Sequence, residues 1–176
     1  MKSTTYAITT HSQVRYLSIT AIFAALITIM TAYVCHIPVP LTGGYIHFGD
    51  SLIYLSAAIL PTPYACVAAA IGGGLADLLT APMWMLPSFV IKALIVLPFS
   101  NKGNKILTKR NMIAPLLAYL ISGAGYFGAN NLLFNSEIAF LTSFGGSAIQ
   151  SFGSMFIFLI LGAMLDKVGF KKSFEF

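Results

Sequence analysis

A chain of 176 residues is long enough for one domain and too short for two of ordinary size. Hydrophobic residues make up 57% of it and charged residues 9%, against about 25% charged in a soluble domain, so a water-facing surface cannot be covered and a soluble globular fold is excluded. The same shortage of charge excludes disorder, and the formal charge of +5 is gathered in three short polar segments, a topology signal rather than a nucleic-acid-binding face.

Taken in chain order, Lys2 and Arg15 precede an apolar run that begins near Tyr16. No small-residue cleavage site follows it, so it reads as a retained first helix. Crossing a hydrocarbon core of about 30 Å takes roughly 20 apolar residues in a helix. That measure predicts helices at about 15–36, 50–61, 63–80, 87–100, 112–130 and 146–166. The expected fold is an all-α polytopic membrane protein, a single domain over 1–176 with six transmembrane helices. An even count places both termini on one side together with the basic loop 101–111. Nine of the ten basic residues (Lys2, Arg15, Lys102, Lys105, Lys109, Arg110, Lys167, Lys171 and Lys172) then face the cytoplasm, and Lys92 lies inside helix four. The exterior loops become 37–49, 81–86 and 131–145, with Glu137 their only charge.

Helix two is too short to cross from surface to surface, since Asp50 to Leu60 rises only about 16 Å. Its start is therefore expected within the membrane depth. The stretch before it, from Ile37-Pro38-Val39-Pro40 through Gly43-Gly44-Tyr45-Ile46-His47-Phe48-Gly49, holds too much Pro and Gly for a helix. A partly re-entrant first exterior loop follows, and non-helical backbone at that depth is tolerated where protein buries it or a cavity is lined by it. A ligand pocket open to the exterior is expected there.

Small residues recur at helical spacing. Ala21-xxx-Ala25 marks one face of helix one, and Ala65, Ala68, Ala69, Gly72, Gly73 and Ala76 mark helix three. Such faces let helices approach closely in lipid. On helix three this reads as internal packing; on helix one a partner protein is an equal reading. Asp50 opens helix two, where a carboxylate caps free N–H groups and complements the helix dipole, with ligand contact the lesser reading. Asp77 and Lys92 flank the loop 81–86 at similar depths, so an Asp77–Lys92 ion pair is expected, with direct ligand contact the alternative. Tyr126, Asn130 and Asn131 end helix five, Gln150 opens helix six, and Trp84 sits in the loop between helices three and four. Flat aromatic walls with a few amides suit a planar heterocycle, while an interfacial aromatic belt is the plainer reading of Trp84. Cys35 and Cys66 lack disulfide or zinc spacing and read as buried thiols. Catalytic motifs and an ATP-cradling loop are absent from the sequence, so no enzyme, cofactor or metal is expected.

The run Pro38-Val39-Pro40 through Gly43-Gly44-Tyr45-Ile46-His47-Phe48-Gly49-Asp50, a short apolar helix, and a Gly-rich helix ending in Leu75-Ala76-Asp77-Leu78-Leu79 together resemble the substrate-binding S component of energy-coupling factor (ECF) vitamin transporters. The resemblance covers essentially the whole chain. It implies capture of a vitamin or related micronutrient at a bacterial plasma membrane. It implies docking of the Ala21 and Ala25 face onto a transmembrane T subunit, two cytoplasmic ATPases driving the complex, and toppling of the S component to release its cargo. It also implies a pocket formed by the first exterior loop, with Tyr45 and His47, and by the exterior ends of helices four to six. The Gly-Asp stretch is closest to the riboflavin-like and hydroxymethylpyrimidine-like branch and resembles proteins proposed to salvage queuosine precursors. The competing reading from the residues alone is a small secondary transporter or channel acting as an oligomer.

Overall fold

The computed structural model describes residues 2–34, 36–39, 44–135 and 138–174, with the side chains of those residues described from Ser12 to Lys172. Glu137 and Cys35 lie outside the described residues. The chain forms helix α1 (Lys2–Tyr33), a hairpin of β1 (Ile37–Val39) and β2 (Gly44–Ile46), and helices α2 (Asp50–Ile59), α3 (Thr62–Thr80), α4 (Met85–Leu94), α5 (Lys109–Phe134) and α6 (Ala139–Lys167). Short 3-10 turns occupy Pro82–Trp84 and Phe170–Phe174.

Among the described residues, four helices are long and apolar enough to cross a membrane: α1 from Ser12, α3, α5 and α6. Their outward surfaces carry Leu17, Ile22, Leu26 and Ile29 on α1, Leu116, Leu117 and Leu120 on α5, and Ile149, Phe152, Phe156 and Ile160 on α6, all exposed. So broad an apolar exterior requires lipid or a partner as its solvent. Helices α2 and α4 have 10 residues each and rise about 15 Å.

α2 is the centre of the bundle. Nine of its ten residues are buried, which an element facing lipid cannot achieve, and it packs on α1, α3 and α6. Tyr54 stacks on Phe99 at 4.9 Å and meets Phe158 edge-on at 6.0 Å, closing the lower core. The loop before α2 is a two-stranded antiparallel hairpin that pairs Ile37 with Ile46 and Val39 with Gly44. Main-chain pairing satisfies polar groups that Pro38 and the glycines withhold from a helix.

Several helix boundaries differ from expectation, the first being α1, which runs from Lys2 to Tyr33 rather than over about 15–36. α4 stops at Leu94 rather than near residue 100, because the chain tightens into successive turns in which Val96 N–H bonds Ala93 O and Phe99 N–H bonds Val96 O. Pro98 has no N–H with which to continue a helix. α5 runs from Lys109 to Phe134, longer at both ends, with Thr108 accepting from Asn111 N–H as its cap. α6 begins at Ala139, not 146, so Gly145 and Gly146 lie inside it; each glycine costs about 1 kcal/mol relative to alanine in a helix, which long flanking apolar turns offset.

Since successive helices alternate in direction, the hairpin, the 3-10 turn and the α5–α6 connection share one end of the bundle. At the other end Asp166 accepts from the backbone N–H groups of Ile106 and Leu107 at 2.7 and 2.9 Å, and Lys171 Nζ donates to Lys105 O. Asn111, fully buried, holds Ser100 and Ile106 through its side-chain amide. Hydrogen bonds to a charged group are worth about 1.5–3 kcal/mol. Asp166→Ala should therefore lower stability by about 2 kcal/mol, read as a reduced thermal midpoint in detergent; an unchanged midpoint would mean that Asn111 alone holds the loop.

Candidate functional site

A cavity of about 340 Å³ opens at the hairpin end. The hairpin supplies one wall with Tyr45 and His47, the 3-10 turn supplies Trp84, α5 supplies Tyr126 and Asn130, and α6 supplies Ser143, Ser147 and Gln150. Asn130 follows Tyr126 by one turn, and residues 143, 147 and 150 recur at spacings of four and three, so each helix presents one face to the space. Trp84 meets Tyr126 nearly edge-on at 5.7 Å, forming an aromatic corner.

Below the cavity floor lies an ion pair. Lys92 Nζ donates to Asp50 Oδ1 at 2.7 Å and Gln150 Nε2 donates to Asp50 Oδ2 at 2.8 Å, with both charged side chains almost fully enclosed. Lys92 is the eighth residue of α4 and Gln150 the twelfth of α6, about 10 and 16 Å along those helices, so α2 starts deep inside the bundle. The Lys92 ammonium also lies 5.7 Å from the centre of the Tyr126 ring, which adds a cation–π attraction.

Two expectations are corrected here. Lys92 pairs with Asp50, not Asp77, because the recessed start of α2 brings a third element to the depth at which only α3 and α4 were compared. Asp50 is the first residue of α2 and its two carboxylate oxygens accept from Lys92 and Gln150; Gly49 holds the N-cap position with no side-chain cap bond. Asp77 instead lines the cavity, where it accepts from the Tyr45 hydroxyl and bonds Ser88. Ser88 in turn shares a 2.7 Å hydrogen bond with the Tyr126 hydroxyl. Tyr45 stacks on His36 at 3.9 Å, so the hairpin is fastened to α3 by a phenol and to the end of α1 by a ring pair.

Of the residues expected at the pocket, Tyr45, His47, Trp84, Tyr126, Asn130 and Gln150 line it. Lys92 lies behind Gln150 and Tyr126. Asn131 is exposed and donates to Phe127 O on its own helix, since residues adjacent in a helix point about 100° apart and only one of the two amides can face inward. Ala21 and Ala25 are exposed on α1, whereas Ala24 and Ile27 pack inward. Ser143 is not among the residues expected at the pocket, because a helix starting at 146 puts it in a loop; extending helical spacing back from Gln150 through Ser147 identifies it. Its hydroxyl accepts from Asn130 Nδ2 at 2.7 Å and ties α5 to α6 beside the cavity.

Residues 11–167 match the family model described as "ECF-type riboflavin transporter, S component". A curated relative, the "Uncharacterized protein in gap 3'region" of Pyrococcus woesei, is 28% identical over 140 residues, covering 78% of this chain and 93% of that protein. The family match spans nearly all the helices described above, and it is a transporter family rather than an enzyme family. The chain belongs to the ECF-type riboflavin transporter S component family, the substrate-binding subunits of energy-coupling factor importers.

Proposed function

We propose that this chain captures a planar nitrogen heterocycle, the chemical class to which riboflavin belongs, and delivers it by docking onto a T subunit served by two cytoplasmic ATPases. The observation that carries this reading is the cavity at the hairpin end: an aromatic corner of Trp84 and Tyr126 faces the amides of Asn130 and Gln150, which suits a flat ring with polar edges. In this reading all six helices lie in the cell membrane, the two short ones sheltered by the four long ones. The hairpin dips inward from the outer surface to meet the deep start of α2. Both termini and the basic end are cytoplasmic, as the distribution of Lys and Arg favours. Lys92 and Asp50 act through Gln150, holding its amide in place. The exposed small-residue face of α1 around Ala21 and Ala25 is the docking surface, where short side chains permit close helix approach.

Thermal unfolding of the purified chain with flavins, pyrimidines, pyridoxine and deazapurines tests capture. A ligand at one hundred times its Kd stabilises the folded state by about 2.7 kcal/mol, and no response to any heterocycle would overturn the capture reading. Docking is tested by co-expression with T and ATPase subunits. The unmodified chain should recruit them, whereas Ala21→Trp with Ala25→Trp should abolish co-purification while keeping the ligand-induced shift. Normal recovery of the complex with the double variant would move docking to another face. A solitary transporter would recruit no such partners.

A further inference from the structure

The chain turns back on itself after α6. Gly169 N–H bonds Asp166 O at 3.2 Å, and its φ of 68° makes the reversal, a conformation that glycine adopts without a Cβ penalty. Phe170 packs against the hydrophobic core and Lys172 N–H bonds Gly169 O at 3.0 Å, which fixes the start of the turn Phe170–Phe174. Its two lysines are thereby returned to the loop after α4. Lys171 Nζ reaches Lys105 O at 3.3 Å, across 66 residues of chain.

The lysines gathered here have little to neutralise them. Among the described residues, Asp166 is the one acid at this end, and its two oxygens accept from the backbone N–H groups of Ile106 and Leu107. Lys105, Lys109 and Lys172 are exposed, and none of the three forms an ion pair with a described residue. Tertiary contacts thus draw together like charges from two distant segments, which repel one another, and an anion from outside relieves that repulsion.

Below Lys109 the outward face of α5 is apolar. Ile113, Leu117 and Leu120 follow it at helical spacing and, with Leu116, are all exposed. Lys109 to Leu120 covers 11 steps of the helix, about 16 Å, which matches one leaflet, half of a hydrocarbon core of about 30 Å.

We infer that Lys105, Lys109, Lys171 and Lys172 form a site for the phosphate of an anionic phospholipid whose acyl chains lie along this face of α5. A soluble phosphate would use the lysines and leave the apolar face unused. An acidic protein segment would have to cover that face from within the bilayer, whereas a lipid carries both parts in one molecule. The inference requires only that the chain lies in a bilayer, and it stands apart from the identity of the captured substrate.

Competition binding to the purified full chain in neutral detergent tests it, with phosphatidylglycerol carrying a fluorescent acyl chain as the probe. Unlabelled phosphatidylglycerol should displace the probe at least about 5-fold more effectively than phosphatidylcholine with the same chains, the factor expected from a single lysine near a headgroup. The ratio should fall at about 1 M salt, where the screening length shrinks to about 3 Å. Lys105→Gln with Lys109→Gln and Lys172→Gln should remove the preference, while Lys2→Gln with Lys102→Gln and Lys167→Gln, which delete the same charge, should keep it. Equal displacement by the two lipids would overturn the inference, as would a preference that survives in the first triple variant. Equal loss in both triple variants would mean diffuse surface charge rather than a site. Displacement by inorganic phosphate as effective as that by phosphatidylglycerol would make the ligand a soluble anion. Loss of T and ATPase recruitment in the first triple variant, with no lipid preference in the unmodified chain, would assign the lysines to an acidic protein face and overturn the lipid. The comparisons of lipid and salt are made on the unmodified chain, so they stand even where a variant does not fold.

Discussion

Lys92→Met alone should destabilise the folded chain by about 3–5 kcal/mol, and Asp50→Asn with Lys92→Met should recover most of that loss. The side chains are 2% and 0% exposed, so removing the ammonium strands a carboxylate with only the Gln150 amide against it. Breaking a buried pair is expensive because the remaining charge keeps its desolvation penalty and loses its compensation. Removing both charges leaves an amide that still bonds Gln150 and an apolar chain in the channel that the lysine stem occupied. Thermal midpoints and the monodisperse fraction in detergent measure both variants. Equal loss in the single and double variants would mean that the two charges contribute independently, and the ion pair would not be what holds α2 to α4. Asp77→Ala is expected to cost less than Lys92→Met, since its partners are hydroxyls rather than a cation.

Gly72→Leu should cost about 3 kcal/mol, at the upper end of what overpacking does to a tight interface. A Cβ at Gly72 would stand 2.7 Å from Ile27 Cβ and 2.9 Å from the backbone oxygen of Ala24, and a backbone oxygen cannot swing aside. The helices would have to separate, breaking the 3.1 Å bond from Thr28 Oγ1 to Gly72 O that crosses between them. Gly128→Ala serves as the control: a Cβ there meets nothing within 4 Å, and replacing a helical glycine stabilises by up to about 1 kcal/mol. Similar thermal midpoints for Gly72→Leu and Gly128→Ala would show that α1 and α3 are not closely packed at this position. The neighbouring glycines serve other contacts: Gly73 lets the Lys92 stem pass, and Gly74 lies against Phe89. Three consecutive residues thus point to three neighbours.

The long apolar helices and the clustering of basic residues were legible in the sequence because each depends on composition over many residues. So was the anomaly of helix two, whose length alone requires a start below the surface. The partner of Lys92 was not legible, although both ingredients were present: depth matching was applied to α3 and α4 as chain neighbours, whereas the deep start of α2 puts Asp50 at the level of Lys92. Contacts between elements 42 residues apart leave no local pattern. The start of α6 was misplaced because Gly145-Gly146 is a strong breaker in water but a modest cost in a 29-residue apolar helix. Asn130 and Asn131 were indistinguishable for a different reason: adjacent residues carry no information about which faces the cavity until the helix is docked.

The latched basic end also has a mechanical consequence. Asp166 and Lys171 fasten the C-terminal end of α6 to the loop after α4, so Lys102, Lys105, Lys109, Arg110, Lys167, Lys171 and Lys172 lie along one rim. Each elementary charge crossing the full membrane potential changes the energy by about 2.3 kcal/mol per 100 mV. With Asp166 subtracted, the rim carries a net charge of about six, and sweeping it through a tenth of the field involves about 1.4 kcal/mol per 100 mV. In the proposed orientation, with this rim at the cytoplasmic surface, an inside-negative voltage opposes any tilt that lifts the rim into the bilayer.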